Sequence, residues 1–133
     1  MIESRVRVLI VDDDPQVGRQ LRELLTDFEH DVVGLASDGS QALVLIKALR
    51  PDVVVTDLRM PGLSGIMLTT LLGQLPSPPA VVIVSAYDDA SLQKEALAAG
   101  AHGYVVKGAP GTHVHEAVLA AAEHQRAASG RWR

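Results

Sequence analysis

The chain has 133 residues, 47% of them apolar but only 3% aromatic, a formal net charge of −4 and no cysteine. That length predicts one domain with its own core, built here from Val, Leu, Ile and Ala. The composition excludes a disulfide framework, a thiolate metal site and a thiol nucleophile, and the acidic balance gives the body of the domain no electrostatic reason to bind nucleic acid.

The segment from Met1 to Arg7 lacks the long apolar core of a signal peptide, and no apolar run approaches a membrane span. A cytoplasmic protein with protein partners and no membrane contact is expected. The first strand is predicted over residues 5–11. A helix follows: Asp14 can cap it, Pro15 suits its first position, and Val17, Leu21, Leu24, Leu25 and Phe28 share one face. A second strand over residues 31–36 contains Gly34 and alternates in polarity, as an edge strand does. The second helix is predicted over about 40–49, with Ala42, Leu43, Ile46 and Leu49 inward and Pro51 as its stop.

A third strand, 52–56, carries valine at 53, 54 and 55, and a third helix follows Pro61, over about 64–74. The fourth strand spans 80–84. The fourth helix, about 89–99, starts at Asp88 or Asp89 and has Gly100 just past its end. It is lined with Leu92, Ala96, Leu97 and Ala99, mostly small groups, so it is expected to be held loosely. The fifth strand covers 103–106, and a fifth helix starts after Gly111 and Thr112 and runs to about 127. One domain over 1–127 is expected, with 128–133 as a short, basic, disordered tail holding the only Trp. Five strand–helix pairs with short connections predict an α/β fold: a doubly wound parallel sheet of the flavodoxin-like (βα)5 type, strand order 2-1-3-4-5.

In such a sheet ligands bind outside the carboxyl ends of the strands. Four of these ends carry polar residues that core packing does not require: Asp12, Asp13 and Asp14; Thr56 and Asp57; Ser85; and Lys107. The first and third strands are neighbours in the predicted order, so Asp12, Asp13 and Asp57 should converge. Three converging carboxylates repel unless a cation joins them, and Mg2+ suits one or two carboxylates with waters and a phosphate. Lys107 adds a point charge and Ser85 a hydroxyl. Together these supply a nucleophile, a metal site and donors for phosphoryl oxygens. His113 and His115, two apart, cannot share a helix face as an i, i+4 metal pair does and read as surface residues; His30 and His102 fall in loops.

The order and spacing of Val8–Pro15 (VLIVDDDP), Ala36–Leu43 (ASDGSQAL), Pro51–Gly65 (PDVVVTDLRMPGLSG), Val82–Ala86 (VIVSA) and Ala98–Lys107 (AAGAHGYVVK) resemble the receiver domain of bacterial response regulators, the targets of histidine kinases in two-component signalling. The resemblance implies that Asp57 is the phosphorylated aspartate and that Mg2+ is held by Asp13 and Asp57, with Asp12 on a metal-bound water and the Arg59 carbonyl as a further ligand. It implies that Ser85 and Lys107 contact the phosphoryl group and that Tyr104 is the switch aromatic. A sensor histidine kinase, a downstream protein or output domain, and a phosphorylation-dependent homodimer are the partners it implies. The switching surface would be the fourth helix, fifth strand and fifth helix, and the protein would promote only its own phosphorylation and dephosphorylation. Arg59 and Tyr87 occupy family positions that flank the phosphoryl group and influence its hydrolysis. Gly108 stands where many members have proline, which leaves the geometry of that loop open. Two other readings compete. A haloacid-dehalogenase-type phosphatase also uses a strand-end Asp with Mg2+, but needs a second Asp two residues on, where Arg59 stands. A degenerate receiver acting only as a scaffold would have lost one of the acidic pair, Asp57 or the lysine, and none is lost.

Overall fold

A computed structural model describes residues 5–129. Its elements alternate without exception: β1 (Arg7–Val11), α1 (Pro15–Asp27), β2 (Asp31–Ala36), α2 (Gly39–Leu49), β3 (Val53–Thr56), α3 (Gly65–Leu72), β4 (Ala80–Ser85), α4 (Ala90–Ala98), β5 (Gly103–Val106) and α5 (Gly111–Ser129). The five strands are parallel and lie in the order β2-β1-β3-β4-β5. This is the flavodoxin-like arrangement expected from the residue pattern.

The central strands are buried on both faces, and their period of two divides the core. Val8, Ile10, Val53, Val55, Val82 and Val84 face the layer that contains Leu25, Val114 and Val118 of α1 and α5. Leu9, Val11, Val54, Val81 and Ile83 face Ala42, Ile46, Leu68, Leu72 and Ala96 of α2, α3 and α4. A fully buried side chain of this kind contributes ~1.5–3 kcal/mol, so a core almost without aromatics is sufficient. The edge strand β2 shifts register against β1 between Val8 and Leu9, which skips Val33. Gly34 follows because a Cβ there would approach Leu9 Cδ1 to 3.0 Å and Leu49 Cδ1 to 3.3 Å.

Side-chain caps set the helix starts. Asp14, Asp38, Ser64 and Asp89 each accept a backbone N–H from the first turn of α1, α2, α3 and α4 respectively. Two helices, α3 and α5, depart from expectation at their ends. α3 stops at Leu72, two residues early, with the N–H of Gly73 donating back to Thr69. Within α4 only Ala96 is buried, and Leu97 is exposed. α5 runs through Ser129, so Ala127 and Ala128 are helical; the rest of the expected tail lies outside the described residues. The far half of α5 is tied to the sheet by Arg126, whose Nη2 pairs with Asp52 Oδ2 at 3.3 Å and donates to the Arg5 carbonyl at 2.8 Å.

The end of α1 is closed by Glu29 at φ 68°, with the N–H groups of Glu29 and His30 donating to Thr26 and Leu25. This turn delivers His30 into the interior, 6% exposed, with Nε2 2.9 Å from His115 Nδ1. His115 also stacks on Phe28, centroids 4.0 Å apart. His115 is therefore a packing residue between α1 and α5, where the sequence pattern indicated surface, and His113 is exposed as expected. Burial, with His115 beside it, holds the His30 imidazole below its ordinary value. The unfolded chain therefore takes up a proton before the folded one. Stability from this group is complete above about pH 6.5 and declines as pH falls below that toward the folded-state value. The melting temperature should drop on acidification through that window, and the slope should be shallower in His30→Gln.

Candidate functional site

The parallel register carries the polar strand ends to one edge of the sheet, and backbone bonds continue past the strands to hold them. Asp12 N–H donates to the Ala36 carbonyl at 3.0 Å, Asp57 N–H to Val11 at 2.9 Å, and Lys107 N–H to Ser85 at 2.7 Å. Asp12, Asp13 and Asp57 are thereby brought together, each with a carboxylate oxygen within 4.8 Å of the others'. Lys107 lies against them, its Nζ 3.2 Å from Asp12 Oδ2 and 3.4 Å from Asp57 Oδ1.

The three carboxylates are not equivalent. Asp12 is almost fully buried, and its Oδ1 accepts the Asp14 N–H at 2.9 Å while Oδ2 faces Lys107. Asp13 is exposed. The Asp57 side chain is 13% exposed, and both of its contacts, from Leu58 N–H at 2.8 Å and from Lys107, fall on Oδ1. Among the described residues nothing bonds to Asp57 Oδ2, so one oxygen with free lone pairs faces the cleft. Burial and the negative charge of Asp12 raise the Asp57 carboxyl above its usual range, against the opposing pull of Lys107 and the Leu58 N–H. Burial alone would lower Lys107, but Asp57 and Asp12 outweigh it and hold the ammonium firmly protonated.

One ammonium cannot neutralise three carboxylates, so the site has room for a cation in charge as well as in geometry. The donor set is all hard oxygen, which fits Mg2+ or a similar ion and offers nothing to a soft metal. Asp12, Asp13 and Asp57 are the side chains able to hold it.

Ser85 closes the site from β4. It is fully buried, and its Oγ accepts the Tyr87 N–H at 3.0 Å, which leaves its own proton free to donate elsewhere. Tyr104 reaches the same loop from β5, donating its hydroxyl to the Tyr87 carbonyl at 2.7 Å. The exposed ring of Tyr87 carries the Arg59 guanidinium 4.7 Å from its centroid. After Lys107 the chain turns through Gly108 at φ 93°, a conformation closed to proline.

Two framing residues were missed in the sequence. A Cβ at Gly65 would collide with the Asp57 carbonyl oxygen, and one at Gly39 would come within 2.6 Å of Leu63 Cδ2. Gly65 N–H also donates to Leu58 at 2.8 Å. These contacts draw the starts of α3 and α2 tightly under the Asp57 loop. The glycines themselves are visible in the sequence, but the surfaces they touch come from other segments.

Residues 8–119 match the family described as the response regulator receiver domain. The chain is 38% identical over 123 residues to the positive alginate biosynthesis regulatory protein of Pseudomonas aeruginosa, covering 91% of this chain and 49% of that one. It is 41% identical over 115 residues to the DNA-binding transcriptional activator DevR/DosR of Mycobacterium tuberculosis, covering 85% and 52%. The chain thus spans about half the length of these curated relatives. Among solved structures, the signal receiver domain of the response regulator NarL from Mycobacterium tuberculosis aligns with TM-score 0.84 at 37% identity, covering 90% of this chain and 97% of that one. CheY in the CheX–CheY–BeF3–Mg2+ complex from Borrelia burgdorferi is the kind of molecule found at lower identity, with TM-score 0.80, 28% identity and coverage of 86% and 87%.

Because excess negative charge is concentrated here, a divalent cation should stabilise the fold. Saturating MgCl2 at one hundred times its dissociation constant is expected to add about 2.7 kcal/mol, read as a rise in melting temperature, and Asp13→Asn should lose most of that rise. Gly65→Ala, which forces the Asp57 carbonyl to move, should cost about 1–3 kcal/mol in urea denaturation.

Proposed function

The chain belongs to the response-regulator receiver family, and from that membership we propose that it is a phosphoryl-accepting switch whose acceptor is Asp57 Oδ2. The observation that carries this reading is the asymmetry of that carboxylate. Oδ1 is engaged by Leu58 N–H and Lys107, Oδ2 has no bond among the described residues, and the carboxylates of Asp12 and Asp13 lie close to that of Asp57.

In the proposed reaction a lone pair of Asp57 Oδ2 attacks phosphorus, and the bond from phosphorus to the donor nitrogen of a kinase phosphohistidine breaks with its electron pair going to the imidazole. Asp13 and Asp57 would hold Mg2+ directly, with Asp12 on a bound water and the Arg59 carbonyl as a further ligand. The ion would supply neutralising charge to the phosphoryl oxygens. In support, the CheX–CheY complex from Borrelia burgdorferi, a solved structure similar to this chain, contains BeF3 and Mg2+. Lys107 is already within 3.4 Å of Asp57 and would shift its contact to a phosphoryl oxygen. Ser85 would rotate its free O–H toward another, giving up the Tyr87 N–H it now accepts.

That exchange ties the site to the loop between β4 and α4. Tyr104 O–H is bonded to the same residue, Tyr87, so movement of Ser85 would be felt by β5. That α4 is buried only through Ala96 supports the reading that the α4–β5–α5 surface is the one that switches, with α4 as its most lightly held part. A histidine kinase upstream and a protein or output domain downstream follow from this reading, as does a cytoplasmic setting, and no catalysis beyond phosphorylation and dephosphorylation of the chain itself. Among the described residues no helix is long and apolar enough to cross a membrane.

Incubation with a small acyl phosphate and Mg2+ should add about 80 Da, one phosphoryl group, to the intact mass of the wild type and nothing to Asp57→Ala. Turnover of a generic phosphomonoester by the wild type would instead favour the phosphatase reading.

A further inference from the structure

Ala86, Tyr87 and Asp88, the residues that lead from β4 toward α4, are all exposed. Among the described residues, every hydrogen bond, ion pair and ring contact of this segment is made by Tyr87. Its N–H donates to Ser85 Oγ at 3.0 Å, its carbonyl accepts the Tyr104 hydroxyl at 2.7 Å, and its ring carries the Arg59 guanidinium 4.7 Å from the centroid. The segment therefore hangs from β4, from β5 and from the β3–α3 loop at one residue. The Arg59 contact differs from the other two. Its backbone lies between the buried side chains of Leu58 and Met60, so the guanidinium stands on a fixed base. Two residues from Asp57, it has three carboxylates to attract it. Among the described residues it pairs with none of them and lies over a neutral ring.

We propose that Arg59 is a positioning residue that acts through Tyr87: by holding the Tyr87 ring it latches the β4–α4 loop in the resting arrangement, in which Tyr87 N–H occupies Ser85 Oγ. Given Asp57 as the phosphoryl acceptor, the reading on which this role rests, Ser85 gives up that N–H to turn toward the phosphoryl group. While the guanidinium is stacked, the Tyr87 backbone stays where its N–H meets Ser85. When Ser85 turns away, the N–H must find water or another acceptor, and the ring is carried off the guanidinium with it. The two contacts of Tyr87 thus compete with the site for Ser85. An exposed cation–π pair is enough to bias such an exchange toward the resting arrangement about two- to fivefold. A positive charge near Asp57 would by itself favour an anion there; the Tyr87 ring turns it into a brace for the anion-free form.

Two exposed substitutions separate this role from a direct one. Arg59→Gln removes the cation, and Tyr87→Leu removes the ring while leaving the backbone N–H and carbonyl in place. Without donor or metal, each should speed exchange of the Tyr87 amide proton with water about two- to fivefold. The double variant should exchange no faster than either single one, because both remove the same contact. In 15N-resolved NMR titrations with beryllium fluoride and Mg2+, each single variant should bind the fluoride about two- to fivefold more tightly than wild type, again with no further gain in the double variant. Arg59→Lys and Tyr87→Phe, which keep a cation and a ring face, should stay close to wild type in both readouts. Weaker fluoride binding by Arg59→Gln, or additive effects of the two substitutions, would place the Arg59 charge on the bound anion itself and overturn the proposal. Unchanged exchange in both single variants would overturn it as well. The expected exchange pattern with no fluoride binding by any variant would keep the latch and remove the Asp57 reading alone.

Discussion

Three carboxylates held against a single ammonium are the constraint around which the rest of the molecule is arranged. Electrostatics alone would drive Asp12, Asp13 and Asp57 apart, and burial makes the repulsion stronger. They stay together because their positions are not chosen by their side chains. They are extensions of β1 and β3, held by backbone bonds from Asp12 to Ala36 and from Asp57 to Val11, beneath which a double-sided aliphatic core leaves the strands no slack. The repulsion is thus carried by the hydrophobic effect in the body of the sheet. Lys107, anchored to Ser85 through its own N–H, relieves part of it.

The same division between local and distant causes explains what the amino-acid sequence disclosed. Strands of unbroken valine and isoleucine, helix starts at Asp14 and Asp89, and the strand-end carboxylates are written in adjacent residues, and each is where the pattern puts it. Features that depend on two separate segments were hidden. Gly65 looks like an ordinary residue after a serine cap until the Asp57 carbonyl is seen against it. His30 looks like a loop histidine until α5 brings His115 to it, 85 positions along the chain. The skipped residue in β2 likewise follows from how Gly34 fits beneath Leu9 and Leu49, not from the β2 sequence itself. Side-chain polarity reports the face a residue prefers, but not which neighbour it meets there.

The two ends of the sheet have opposite chemical characters. The carboxyl ends gather charge, with β4, the loop after it and β5 joined by hydrogen bonds among Ser85, Tyr87 and Tyr104. The amino ends are closed by prolines, by the Arg126–Asp52 pair and by the neighbouring rings of His102 and His124. Between them α4 is attached chiefly through Ala96, and its neighbour α5 through a continuous apolar stripe that includes Val114, Val118, Ala121 and Ala122. The sheet therefore has a firmly packed side and a more lightly packed one, and the loop that follows Ser85 leads directly into the lightly packed α4.

The bond from Tyr104 to the Tyr87 carbonyl has an optical consequence. The chain holds only two tyrosines, and both belong to this one hinge, while the interior is aliphatic. The tyrosine contribution to the ultraviolet spectrum therefore comes wholly from the segment that links the β4–α4 loop to β5. A phenol losing its carbonyl partner changes its ultraviolet spectrum, so the molecule carries a label, placed by its own sequence, on the very lever its chemistry would move.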